Sequence, residues 1–149
     1  MKHIAATILL LLAACVFVGC NDANSDHPAT YPTSVKITMG GEPVEGATVT
    51  LDSVDPENDY SPYGQTDSNG VAELSTFDSG DGVVPGEYYV AVRKIESITE
   101  PDPSEEDPNG VKVVEERRIV PRKYEVFDNG LEITVRESGS NDFEFDVAE

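Results

Sequence analysis

The chain is poor in the residues that perform most protein chemistry. Its 149 residues include two histidines and two cysteines, and past residue 20 only His27 remains of these four. Ser-His-Asp and Cys-His arrangements need a base positioned beside the nucleophile, so the chain is expected not to be an enzyme. Both cysteines, Cys15 and Cys20, fall in the first 20 residues, so no internal disulfide can staple the rest of the chain. Positive charge is also scarce: 10 Lys+Arg stand against 29 Asp+Glu, a formal net charge of −19. Nucleic acid binds proteins largely through Lys and Arg that displace counterions, and it is therefore excluded as a partner. Cations would be attracted instead, although such acidity commonly serves only as a solvated surface. Helical periodicity is missing, and no long apolar run occurs after residue 19.

What the sequence does have begins at its start. Met1-Lys2-His3 is a basic opening, and residues 4–18 are almost unbroken Ile, Leu, Ala, Val and Phe. A run of this length is short for a bilayer crossing and reads as an export signal. It closes on Phe17-Val18-Gly19-Cys20, which resembles a lipobox, the approach to a cysteine that is acylated and becomes the first residue of a bacterial lipoprotein. The resemblance implies a signal peptide over residues 1–19 and acyl chains, palmitate among them, on Cys20. It further implies a membrane-anchored protein of the cell envelope, facing the periplasm or the cell surface. Leu12-Ala13-Ala14-Cys15 is the alternative. Cys20 is preferred because it opens onto polar Asn21-Asp22-Ala23-Asn24-Ser25-Asp26, whereas processing at Cys15 would leave Val16, Phe17 and Val18 on the chain. Several acyl chains bury many CH₂ groups at about 0.8 kcal/mol each, so such an attachment is effectively permanent.

Residues 20–33 are rich in Asn, Asp, Ser and Pro and read as a flexible tether, with the folded domain over residues 34–149. Apolar and polar residues then alternate in Val35-Lys36-Ile37-Thr38-Met39, Ala47-Thr48-Val49-Thr50-Leu51, Val71-Ala72-Glu73-Leu74-Ser75, Tyr88-Tyr89-Val90-Ala91-Val92, Leu131-Glu132-Ile133-Thr134-Val135 and Phe143-Glu144-Phe145-Asp146-Val147. Turn-forming clusters separate them, among them Gly40-Gly41-Glu42-Pro43, Asp67-Ser68-Asn69-Gly70, Asp78-Ser79-Gly80-Asp81-Gly82, Pro85-Gly86 and Asp128-Asn129-Gly130. Short strands with frequent turns predict an all-β, antiparallel β-sandwich of about seven strands. The rhythm breaks at residues 97–110, where Pro101, Pro103 and Pro108 mix with five acidic residues. This stretch is expected to be a long acidic loop, functional or disordered.

At this point the residues resemble a family. The patterns Val44-Glu45-Gly46-Ala47-Thr48-Val49, Thr66-Asp67-Ser68-Asn69-Gly70 and Pro85-Gly86-Glu87-Tyr88-Tyr89-Val90 occur in the order and spacing of the carboxypeptidase regulatory-like domain, over about residues 34–94. The later run Ile119-Val120-Pro121-Arg122-Lys123-Tyr124, with Gly130-Leu131 and the segment from Asn141 to Val147, looks like the closing half of small bacterial lipoproteins built on that domain. The resemblance implies a transthyretin-like, Ig-like sandwich and names no ligand. Hydrolases of a purine breakdown product share that fold but rest on His, Arg and a closing Tyr-Arg-Gly-Ser, and nothing here matches those residues.

Four further groups invite a functional reading. Asp67 and Asn69, with Asp78 and Asp81, offer hard oxygens on tight turns and are weak candidates for calcium; neither set completes a known calcium loop, so no metal or other cofactor is assigned. Arg117, Arg118, Arg122 and Lys123 are four of the nine Lys and Arg residues after Lys2. Beside Tyr124 they are weak candidates for an anion or peptide contact, against a surface role in pairing with Glu115, Glu116 or the acidic loop. Lys36 and Asn141 invite comparison with the collagen-adhesin B-type domains, whose first-strand Lys bonds covalently to a last-strand Asn or Asp, although Lys36 lies opposite the apolar face of its strand. The carboxylate pairs Glu105-Glu106 and Glu115-Glu116 are expected to be solvated. The whole reads as a lipid-anchored, non-enzymatic binding or structural module, with an envelope protein or carbohydrate as partner; the alternative is a calcium-dependent ligand- or carbohydrate-binding lipoprotein.

Overall fold

Alternating residues bury one face and solvate the other, and this makes strands of nearly every segment in which the pattern occurs. A computed structural model describes residues 27–103, 107 and 109–148; Cys15 and Cys20 lie outside them, as do Glu105 and Glu106. In chain order the strands are β1 (Ser34–Met39), β2 (Glu42–Pro43), β3 (Thr48–Ser53), β4 (Tyr63–Gln65), β5 (Val71–Glu73), β6 (Gly86–Arg93), β7 (Ile95–Pro101), β8 (Val111–Arg118), β9 (Glu132–Val135) and β10 (Asp142–Asp146). One 3₁₀ turn, Arg122–Glu125, interrupts them.

The strands form a sandwich of two sheets. In the first, β1 carries β10 on one side and β5 and β2 on the other; the second runs β4-β3-β6-β9. Setting aside the two-residue β2, seven strands build the two layers. One pairing departs from an all-antiparallel arrangement. β1 and β10 run parallel, from Ser34 opposite Asp142 to Thr38 opposite Asp146.

Every second residue of the long strands in these two sheets enters the core. Val35 and Ile37 from β1 meet Val49 and Leu51 from β3, Tyr88, Val90 and Val92 from β6, and Ile133 and Val135 from β9. Phe143 and Phe145, half-buried on one face of β10, close the margin. Gly70 is required where it stands: its φ is +77°, and a Cβ there would lie 2.5 Å from the Ile37 carbonyl oxygen. The Ile37 N–H bonds the Gly70 carbonyl at 2.8 Å, which ties this turn to β1.

Two expectations need correction. The acidic loop of residues 97–110 is shorter than the sequence suggests, because residues 97–101 belong to β7 and pair with β8 in a hairpin from Ile95 opposite Arg118 to Pro101 opposite Val111. Its strands have no apolar alternation because neither face is buried. All eight residues of β8 are exposed, so the pattern that marks a half-buried strand has no physical cause here. The tether of residues 20–33 is described from His27 onward, and its last residues are part of the body. Tyr31 exchanges backbone hydrogen bonds with Val83 at 2.9 Å, and the buried Thr33 accepts the Leu74 N–H.

Candidate functional site

The Asp67 turn is built by its own carboxylate. Oδ1 accepts the N–H groups of Asn69 and Val71, each at 2.9 Å, and Oδ2 accepts the Asn69 side-chain amide at 3.2 Å. The Val71 N–H is the main reason that the Asp67 carboxyl titrates below its ordinary range. The second acidic turn repeats the device: Asp81 accepts the Thr76 N–H at 2.8 Å and the Phe77 N–H at 3.0 Å. Asp78 is exposed, and its carbonyl accepts the Asp81 N–H. Among the described residues no three His, Cys, Asp or Glu side chains converge as a metal set. The four calcium candidates are thus placed on two separate turns, and both of the aspartates with partners are turn braces.

The basic candidates are distributed around the foot of the hairpin. Arg117 bonds Glu96 at 2.9 Å across the β7–β8 pair, and Lys94 reaches the same carboxylate at 3.4 Å. The hydrogen bond from Arg117 is the first cause of the lowered pKa of Glu96. Arg118 pairs with Glu125. Lys123 lies 4.8 Å from the centre of the Tyr124 ring, whose hydroxyl donates to the Ala148 carbonyl at 2.9 Å. Arg122 is exposed. Most of this patch is therefore spent on pairs within the chain, and exposed pairs of this kind contribute little to stability. Lys36 bonds Glu144 at 2.9 Å, while buried Asn141 exchanges hydrogen bonds with the Arg136 backbone at 2.9 and 3.0 Å; the two are not partners.

Sequence reasoning missed a third carboxylate. Asp146, on the last strand, accepts the Gly40 and Gly41 N–H groups at 3.1 and 2.8 Å, the Ala148 N–H at 3.0 Å and the Thr38 hydroxyl at 3.1 Å. The Gly41 and Gly40 donors hold its carboxyl below the usual range. The signal was present in Gly40-Gly41, a turn that exposes two adjacent N–H groups, but its acceptor lies 105 residues away. A groove of about 440 Å³ opens beside β9 between Glu87, Tyr89, Glu132, Arg136 and Phe143. It offers two carboxylates and one guanidinium on an open surface.

Comparison with protein-family models, with curated proteins and with solved structures finds no match. Among the described residues no helix is long and apolar enough to cross a membrane.

Proposed function

We propose that this chain is a lipid-anchored, transthyretin-like β-sandwich of the carboxypeptidase regulatory-like kind, working at the cell envelope as a non-enzymatic binding or structural module. The observation that supports this reading best is how the polar groups are used. Asp67, Asp81 and Asp146 spend their oxygens on backbone N–H groups, and Asn129 and Asn141 donate their side-chain amides to the backbone carbonyls of Val90 and Arg136. Such groups are bracing, which suits a body that presents surface. The surface presented includes a hairpin with exposed Ile98, Val111, Val113 and Val114, and exposed apolar side chains gathered on one element mark contact sites. Acyl chains on Cys20 and polar residues 21–26 would hold this body near a membrane.

Two experiments test the reading. Mass spectrometry of the N-terminal peptide from membranes should find Cys20 acylated; an unmodified peptide, or one beginning at Cys15, refutes that assignment. Photo-crosslinkers placed at Tyr63, Tyr89 and Val111 in the native envelope should capture an envelope component from at least one position. Silence at all three would refute the binding role.

A further inference from the structure

The β7–β8 hairpin is a two-stranded ribbon with no described strand on either outer edge, and a lone ribbon of this kind is marginal in water. Val111, Val113 and Val114 of β8 keep 64%, 58% and 44% of their surface exposed. We propose that the free edge of β8 pairs antiparallel with the same edge of a second copy of this chain, about a two-fold axis between Val113 and Val114, making a four-stranded sheet across the dimer.

The charge pattern of the strand supplies the register. Lys112-Val113-Val114-Glu115 reads the same when set antiparallel against itself: each Lys112 meets Glu115 of the other copy, and each Val113 meets Val114. Two opposite-charge pairs and two apolar pairs form together, the combination that stabilises neighbouring strands. The side chains are available. Among the described residues Lys112 has a single 3.8 Å contact, with Asp102, and Glu115 has no partner.

The faces also agree, which they would not in a regular strand. A two-fold axis through an antiparallel pair stands perpendicular to the sheet, so residues that pair across it must lie on one face. Residues three apart normally face opposite ways. Here the register shifts between Ile98 and Thr99: Glu115 lies opposite Ile98, and Lys112 lies opposite Glu100. Ile98 and Glu100 are two apart and share a face of β7, so Lys112 and Glu115 share a face of β8. Val111 and Glu116, opposite Pro101 and Ser97, agree in the same way. The bulge is what makes the edge self-complementary.

The other edges are less suited to self-pairing. Around Ile98, β7 would set Glu96 against Glu100, and around Glu144, β10 would set Asp142 against Asp146; like charges directly opposite are repulsive. The outer edge of β4 offers three residues and that of β9 four.

The test uses charge reversal on the full chain in detergent micelles, with protein mass read by sedimentation equilibrium at low salt. The native chain is expected to be a dimer. Lys112→Glu and Glu115→Lys each convert two attractive pairs to repulsive ones and should each weaken association about tenfold or more. Mixed in equal amounts, the two variants should associate again, because both pairs in the mixed dimer are then opposite in charge. A monomeric native chain, a dimer indifferent to either reversal, or a mixture no more associated than its components overturns the proposal. Independently of any variant, backbone amide exchange across residues 111–118 of the native chain should slow as protein concentration rises, and exchange that ignores concentration overturns it as well.

Discussion

Thr66 lies buried beside β4, and its hydroxyl joins two backbone groups that otherwise face the interior. Oγ1 donates to the Val44 carbonyl at 2.6 Å and accepts the Ala47 N–H at 2.7 Å. Thr66→Val preserves the shape and removes both bonds. A buried backbone group left unsatisfied costs about 1–3 kcal/mol, so with two such groups the variant should lose about 2–6 kcal/mol of stability. For a domain of this size that lowers the melting midpoint by roughly 6 °C or more. Thr66→Ser keeps the hydroxyl and sheds one methyl, a loss of about 1 kcal/mol. The assay is urea denaturation followed by tyrosine fluorescence, available because the chain has six Tyr and no Trp, with far-ultraviolet circular dichroism as a second probe. A Val variant within about 0.5 kcal/mol of the native chain, well under the cost of one unsatisfied group, or one more stable than the Ser variant, would show that water or backbone movement satisfies these groups and that the reasoning is wrong.

Other consequences are open to the same measurements. Gly70→Ala should destabilise by about 1–2 kcal/mol more than Gly40→Ala, since both need positive φ but only the former drives a Cβ onto the Ile37 carbonyl; equal losses would remove the steric argument. Tyr88→Phe should cost about 1–2 kcal/mol, because its buried hydroxyl donates to Val84 at 2.7 Å and accepts from Asn58 at 3.1 Å, and a neutral result would contradict it. Asp67 and Asp146 titrate below their ordinary range in the folded chain, so their contribution is present above the unfolded carboxylate value of about 3.9 and is lost as pH falls through the folded value. Asp146→Asn should therefore flatten the decline of stability below about pH 4, and a pH profile parallel to that of the native chain would exclude the carboxylate as its source. Millimolar Ca²⁺ should leave the melting midpoint unchanged, because the Asp67 and Asp81 oxygens already hold backbone N–H groups; a rise would reopen calcium binding.

Much of the sandwich was legible because its strands are half-buried, and half-burial writes itself into sequence with period two. Val35, Ile37, Val49, Leu51, Val90 and Val92 could be assigned to a core from their spacing alone. What escaped lacks that cause. β4 is Tyr63-Gly64-Gln65, and its inward residue is a glycine pressed against the Glu73 carbonyl, where no Cβ fits. It therefore contributes no apolar side chain to a pattern. β7 and β8 bury neither face, so their prolines and charges read as loop. The parallel partnership of β1 and β10, and the use that Gly40 and Gly41 make of Asp146, depend on residues more than 100 positions apart, which local pattern does not encode. The calcium suspects were legible as turns, and the Asx geometry that makes such turns also gives Asp67 its role.

The parallel pairing of β1 and β10 bears on how the body would respond to force. Ser34, the first residue of β1, lies beside Asp142, and the chain continues past Asp146 at the opposite end of the same pair. Tension between these two points acts along the strands. The hydrogen bonds linking five residue pairs, with the Lys36–Glu144 contact and the clasp of Asp146 on Gly40 and Gly41, would then be loaded in shear, all together, instead of opening one after another as in a peeled hairpin. Rupture under load follows the unfolding barrier rather than the equilibrium stability, so a body pulled between these two points would resist largely through this one ladder.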